Sequence, residues 1–438
     1  MEQCSRSTSN LVGTRGSLKW TKPVIPYNSD VPKHITRRTA LPLLLCGASR
    51  PWAAEDWPQF RGPDGQGHSG EHALPLTWSE NENVRWKAPV PGLGWSSPAI
   101  LGDRIWVTTA TDRGRSLQAV CLDRETGRQM LAVEVFHSAG EESINEKNSY
   151  ASPTPVLDGD HVYLHFGPYG TACIRNSGEI VWRTRLKYAP QHGPGGSPAL
   201  FEDLLIVSCD GMDTQYVAAL DTGTGRIRWR SSRAGSQAYV TPLVIEAGGR
   251  TQVIAPGAYR AIAYDPRTGK EIWWVRYGQG FSNVPRPVFG EGLVFICSGF
   301  FEPVLLAVRP DGQKDVTNSH VVWTLKRGAP LTPSPLVAGD NLYVVSDNGI
   351  ATCLHARTGA IHWRERLGGN FSASPVYADG RIYFLNEDGG TTVVAPGEQF
   401  QKLATNLLDG RTLASIAVSG GALFIRTDKN LYRLEKRT

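Results

Sequence analysis

From about residue 97 onward the chain is punctuated by short apolar runs, among them Ile105-Trp106-Val107, Val162-Tyr163-Leu164, Leu205-Ile206-Val207, Leu342-Tyr343-Val344 and Ile382-Tyr383-Phe384. Each run follows a turn rich in Gly and Asp, and each belongs to a longer unit that repeats. A small residue followed by proline opens the unit at Ser97-Pro98, Ser152-Pro153, Ser197-Pro198, Thr241-Pro242, Ser334-Pro335 and Ser374-Pro375, and Arg286-Pro287 and Ala414-Ser415 fill the same slot imperfectly. Successive openings lie between 40 and 55 residues apart, a period that marks a radial or stacked array of identical supersecondary units. Within each unit the order is the pair, an apolar strand, a turn, a second strand, a loop, a third strand, a turn and a fourth strand.

Four short strands per unit and eight units predict an all-β, eight-bladed β-propeller with four antiparallel strands in each blade. The turn between third and fourth strands is the most regular element: Asp123-Arg124-Glu125-Thr126-Gly127, Asp221-Thr222-Gly223-Thr224-Gly225, Asp265-Pro266-Arg267-Thr268-Gly269 and His355-Ala356-Arg357-Thr358-Gly359. Asp and Thr bond the local backbone while Gly takes positive φ, so these residues are read as hairpin chemistry and not as catalytic carboxylates. Tryptophans recur after the turns at Trp182, Trp229, Trp273, Trp323 and Trp363, where one aromatic per blade is expected to wedge neighbouring blades together. The last unit, ending in Asn430-Leu431-Tyr432-Arg433-Leu434, lacks a fourth strand, and Asn83-Val84-Arg85-Trp86-Lys87 has that strand's pattern without three strands before it. The two chain ends are therefore expected to share the closing blade, which removes an otherwise open sheet edge.

The abundance of Gly, Pro and Trp agrees with short strands and tight turns. The formal net charge of +5 changes meaning once it is located, because residues 1–54 carry eight Lys/Arg against Glu2 and Asp30 and the remainder is close to neutral. A near-neutral body without basic runs offers no footprint for nucleic acid. Arg37-Arg38 followed at once by Leu41-Pro42-Leu43-Leu44-Leu45 has the layout of an export signal with a twin-arginine character, too short to span a bilayer, and Ala53-Ala54 provides small residues for cleavage. Residues 1–54 are read as an export leader, with Val31 as an alternative start that would shorten its long basic region, and residues 55–438 as one propeller domain. The product would be periplasmic or secreted. Cys46 after the leucine run would tether the chain to a membrane only if lipidated, and Leu45 is bulkier than the residue that normally precedes a lipidated cysteine.

Five cysteines in the body (Cys121, Cys173, Cys209, Cys297 and Cys353) each sit inside an apolar run with no C-x-x-C pair, as buried small hydrophobes do. The histidines lack zinc-site spacing, Gly193-Pro194-Gly195-Gly196 precedes a strand instead of a helix, and no Gly-x-Ser-x-Gly elbow occurs. Glu141-Glu142 with Asn145, Glu146 and Asn148 is the one acidic and amide concentration, and it reads as a solvated loop face. No catalytic residue and no metal site is assigned.

The Asp-x-x-Thr-Gly turn with tryptophan following, and the Ser-Pro opening, resemble the repeats of the PQQ-like β-propeller family; Asp56-Trp57-Pro58-Gln59-Phe60-Arg61-Gly62-Pro63 is similar to the opening segment of its bacterial envelope members. The resemblance implies two alternatives. One is a non-catalytic envelope scaffold similar to the propeller lipoprotein of the outer-membrane β-barrel assembly machine. The other is a quinoprotein dehydrogenase holding PQQ with a calcium or lanthanide ion in the central channel. The chain has no adjacent cysteine pair and no C-x-x-C-H haem motif, which favours the scaffold with envelope proteins or peptides as partners. A glycan- or polypeptide-binding module is a third reading. If a small-molecule site exists, it belongs where the blade-to-blade connections converge at one end of the channel. Candidates there are Trp95, Tyr150, His192, Tyr239, Asn283, Arg286, Asn370 and Arg411, a set of aromatic planes, amides and guanidinium groups.

Overall fold

The computed structural model describes residues 56–139 and 144–436. The expected leader with Arg37, Arg38 and Cys46 lies outside them, as do Glu141 and Glu142. Eight antiparallel sheets succeed one another along the chain: blade 1 (99–137), blade 2 (156–184), blade 3 (199–232), blade 4 (243–276), blade 5 (288–325), blade 6 (336–366), blade 7 (376–407) and blade 8, in which 417–435 is completed by Val84–Pro89. The strands of each blade are called A to D from the channel outward. Strand A is short, three residues in blades 1, 2 and 3.

Burial follows position in the blade. Strand B of blade 5, Leu293–Cys297, is buried throughout, because central strands are covered on both faces by adjacent blades and so read as continuous apolar runs. The outermost strand of the same blade, Val321–Leu325, alternates between partly buried and exposed positions before ending on buried Leu325. The closing blade forms as expected: Val84–Pro89 pairs antiparallel with Asn430–Glu435, Lys87 opposite Tyr432 and Pro89 opposite Asn430.

The repeated turn and the repeated tryptophan prove to be two halves of one fastening. Asp221 Oδ1 accepts the Thr224 amide and hydroxyl at 2.9 and 2.7 Å, and the Gly225 amide returns to the Asp221 carbonyl at 2.8 Å. The indole N–H of Trp182, on the outer strand of the preceding blade, then donates to the Thr222 carbonyl at 2.7 Å. The same bond runs from Trp86 to Arg124, Trp229 to Pro266, Trp323 to Ala356 and Trp363 to Gly397, at 2.8–3.1 Å. A Cβ on Gly225 would stand 2.5 Å from the Trp182 ring, so the glycine is needed both for its φ of +68° and for the approach of the indole. Blade 8 takes its strand D from the other chain end and has no C–D hairpin, and strand D of blade 7, Lys402–Leu407, correspondingly carries no tryptophan.

Trp273 is buried between blades 4 and 5 as expected, in one cluster with Val294, Ile296, Leu306 and Val308, but it lacks the fastening bond. Its indole donates within its own blade, to Gln252 Oε1 at 2.7 Å, because blade 5 replaces the compact turn by a longer excursion. That excursion lays Lys314–Asp315 parallel against Trp273 and Trp274 as a fifth strand on the edge of blade 4. The five described cysteines are buried and free.

Candidate functional site at the channel mouth

The innermost strands begin in a ring of hydroxyls. The Ser97 amide donates to Thr154 Oγ1, Thr154 to Ser197 Oγ, Ser197 to Thr241 Oγ1, Arg286 to Ser334 Oγ, Ser334 to Ser374 Oγ, Ser374 to Ser415 Oγ and Ser415 back to Ser97 Oγ, all at 2.9–3.0 Å. Seven of the eight neighbouring blade pairs are thus stitched together at the axis. The ring is incomplete at blade 5, where Arg286 stands in the hydroxyl position. In blade 2 the ring member is Thr154 and not Ser152, the residue singled out by the Ser-Pro spacing. Ser152 instead bonds Asn148 Oδ1 at 2.5 Å in the loop above.

The seven hydroxyl residues line a cavity of about 630 Å³, within the size range of small-molecule pockets. Its far end is closed by the segment that precedes the first strand. Trp57 exchanges backbone bonds with Ile100 of blade 1, and the Leu157 amide of blade 2 donates to the Pro58 carbonyl. Arg61, only a few residues on, donates to Gln66 and Pro335 carbonyls at 2.6 and 2.7 Å, and Gly67 and Ser69 bond Tyr377 of blade 7. Blades 1 and 2 face blades 5 and 6 across an eight-membered ring, so residues 57–61 cross the axis. Phe60, at the middle of the crossing, lines the cavity. Arg286 holds the crossing in place, its Nη1 donating to the Phe60 carbonyl at 2.7 Å.

Three guanidinium groups lie behind the lining residues without a carboxylate in salt-bridge range among the described residues: Arg61, Arg286 and Arg426, each at most 2% exposed. Arg426 donates to Ser96 Oγ at 2.7 Å and the Thr108 carbonyl at 2.9 Å, immediately behind Ser97. Burial lowers Arg61 and Arg426 to about 9 and Arg286 to about 10, the direction expected of cations removed from water.

The expected candidates separate into four groups. Trp95, His192 and Tyr239 line the cavity; the His192 and Tyr239 rings lie 6.1 Å apart, and the Trp95 indole N–H has no hydrogen-bond partner. Arg411 stands above Trp95, its guanidinium 5.9 Å from the ring, and donates to the Glu146 carbonyl. Asn283 and Arg286 are buried supports: Asn283 Nδ2 donates to Gly257 O at 2.8 Å and Tyr277 Oη at 2.6 Å, while its carbonyl receives the Tyr239 amide. Tyr150 packs against Tyr169, and exposed Asn370 offers its carbonyl to the Glu387 amide. Neither of these two is among the lining residues.

Sequence reasoning did not single out Phe281, Phe300 and Asp347, which also line the wall. Phe300 and Phe301 occupy the B–C loop of blade 5 and are 59% and 72% exposed, with Tyr259 of the blade 4 B–C loop 40% exposed. The signal was present in Gly299-Phe300-Phe301-Glu302-Pro303, two adjacent phenylalanines in a loop flanked by glycine and proline. On another sector Lys147 reaches Glu387 at 2.8 Å and Asn148 Nδ2 donates to His192 O at 2.7 Å, so the segment around residue 147 partly roofs the mouth. Polar lining residues and aromatic rings therefore continue outward into an exposed aromatic patch.

The PQQ-and-cation alternative can be tested against these donors. Asp347 is the one carboxylate among the lining residues, and its Oδ2 already accepts the Leu331 and Thr332 amides at 2.7 and 3.3 Å. Among the described residues no three His, Cys, Asp or Glu side chains are grouped to hold a metal. Calcium takes six to eight oxygen ligands, usually including several carboxylates, so the residues present do not fit the cofactor's cation.

A family model described as outer membrane protein assembly factor BamB matches residues 76–197, 142–307 and 312–413. Outer membrane protein assembly factor BamB of Burkholderia pseudomallei is 31% identical over 26% of this chain and 30% of its own length. That of Shewanella oneidensis is 27% identical over 41% of this chain and 45% of its own. The matches thus span under half the length of these curated relatives. The crystal structure of BamB from Moraxella catarrhalis superposes with a TM-score of 0.58 at 14% identity, covering 80% of this chain and 99% of that one. A europium-containing methanol dehydrogenase superposes at 0.63 with 11% identity, covering 86% and 91%. At such identities the two structures establish the fold alone.

Proposed function

The chain belongs to the PQQ-like propeller family whose model is described as outer membrane protein assembly factor BamB, and from that premise we propose that it is an exported, non-catalytic scaffold that docks a protein partner during assembly of the cell envelope. The observation that carries the reading is the exposed aromatic cluster of Phe300, Phe301 and Tyr259 on the face where the cavity opens. Large exposed aromatics grouped on one loop face mark an interaction site, and aromatic anchors supply most of the affinity where they become buried. The relatives named as assembly factors support the envelope setting, and the export layout of residues 37–54 agrees with it.

The reading is tested by replacing Phe300 and Phe301 together with serine in the native host. Both side chains are mostly in solvent, so the fold is retained. The expected result is a loss of outer-membrane barrel proteins approaching that of a strain lacking the chain, at unchanged abundance of the variant. Normal barrel levels in the variant alone would overturn the docking face; normal levels in the deletion strain would overturn the assembly role.

A further inference from the structure

We infer that the cavity captures the carboxy-terminal end of a polypeptide, the terminal carboxylate seated on the hydroxyl ring and the last side chain held in the aromatic collar. This rests on the docking reading above and names what the docking face takes in. Three independent features lead to it.

The first is donor count. Every ring hydroxyl among Ser97, Thr154, Ser197, Thr241, Ser334, Ser374 and Ser415 already accepts a backbone N–H, and none donates its own proton to an acceptor among the described residues. A hydroxyl holds one donor beside its acceptor pairs, so the floor presents converging O–H donors and calls for an acceptor-rich group. The second is charge. Arg61, Arg286 and Arg426 lie behind the lining, tied by hydrogen bonds to the Ser334, Phe60 and Ser96 backbone, and no salt bridge neutralises them among the described residues. The opposing charges near the site are Asp347 on the wall, whose Oδ2 is bonded to two amides, and Asp64 beside Arg61 and Arg286. Lys147 and Glu387 offset one another at the rim. The balance favours an anion, and low-dielectric surroundings strengthen the attraction.

The third is shape. The crossing segment with Phe60 makes the cavity blind, so an extended chain can enter only by an end. Donors and positive charge at the bottom select the carboxylate end over the ammonium end. Trp95, Tyr239, Phe281 and Phe300 stand above the ring and suit a large apolar side chain next to that carboxylate.

The test uses the purified full chain and a six-residue acetylated peptide ending in phenylalanine, supplied either as the free acid or as the carboxamide, with binding followed by isothermal titration. The free acid is expected to bind at least tenfold more tightly than the amide, and Ser334→Ala with Ser374→Ala to bring the two within about threefold. The Tyr259→Ser/Phe301→Ser variant, which leaves Phe300 and the rest of the collar in place, separates this inference from the docking reading: it loses the partner while its preference for acid over amide persists. Equal binding of acid and amide, binding of neither, or binding of citrate as tight as that of the peptide acid would each overturn the carboxylate seat, leaving the outer patch to stand or fall by the host experiment.

Discussion

Gly225→Ala tests the blade-to-blade fastening at its tightest point. Two costs arise from the structure. The first is conformational: Gly225 has a φ of +68°, and a non-glycine residue in the left-handed region costs about 1–2 kcal/mol. The second is steric: the added Cβ would lie 2.5 and 2.6 Å from Cε3 and Cδ2 of Trp182 and 2.8 Å from Thr184 Oγ1, and forcing such overlap in packed surroundings costs about 1–3 kcal/mol. The expected loss is about 2–5 kcal/mol in total. Gly102 supplies the internal control, because its φ is +60° but a Cβ there meets nothing within 4 Å; Gly102→Ala should therefore cost only the conformational part. Urea denaturation followed by tryptophan fluorescence, repeated in a Trp182→Ala background, separates the terms. With the indole gone and Thr184 Oγ1 still 2.8 Å from the added Cβ, Gly225→Ala should fall to about 1–3 kcal/mol, a coupling of about 1–2 kcal/mol between neighbouring blades. Additive effects within about 0.5 kcal/mol, or equal costs at Gly225 and Gly102, would refute the claim that this turn and this tryptophan are one device.

Other outcomes follow from buried groups. Asp210 and Arg233 form a doubly bonded pair at 1% and 2% side-chain exposure, and Asp210→Ala should cost about 3–5 kcal/mol in the same denaturation assay because it strands a buried cation. His165 is buried against Thr171 and Tyr188, and burial lowers it from 6.5 to about 4. The unfolded chain then binds the extra proton between those values, so stability is full above pH 6.5 and declines as pH falls toward 4. The loss is about 3 kcal/mol at most, and His165→Gln should remove that part of a pH series of denaturation midpoints. Burial pushes the Cys121 and Cys353 thiols up to about 11 and the other three higher still; a thiol reagent at pH 8 should label none of the five in the native protein and all five after unfolding.

The fold was legible because its signals are local and repeated. Asp, Thr and Gly at fixed offsets dictate the turn, and the unpaired pattern around Trp86 has one solution, the edge of the last blade. The inter-blade packing of Trp273 was legible but its hydrogen-bond partner was not, because its partner turn is replaced by the excursion carrying Lys314 and Asp315, whose path along blade 4 is a tertiary matter. The site was legible only in part for a related reason. The Ser-Pro spacing located the innermost strands, yet with two eligible hydroxyls in blade 2 alternation alone could not choose Thr154 over Ser152. Arg286 was expected at the mouth and is found below it, because the opening segment crosses the channel and gives its guanidinium the Phe60 carbonyl to bond. No periodicity announces a crossing of that kind.

In the function proposed here, the face bearing the cavity is the working face of the propeller. Site-specific photocrosslinking in the native envelope tests it most directly, with the probe at Phe301 or Tyr259 on that face and, for comparison, at Val322 or Ile361, exposed apolar positions on outer strands of blades 5 and 6. The expected result is a discrete crosslinked protein from Phe301 and Tyr259 that vanishes when Phe300 is replaced by serine, and none from Val322 or Ile361. Crosslinks confined to the outer-strand positions would contradict it.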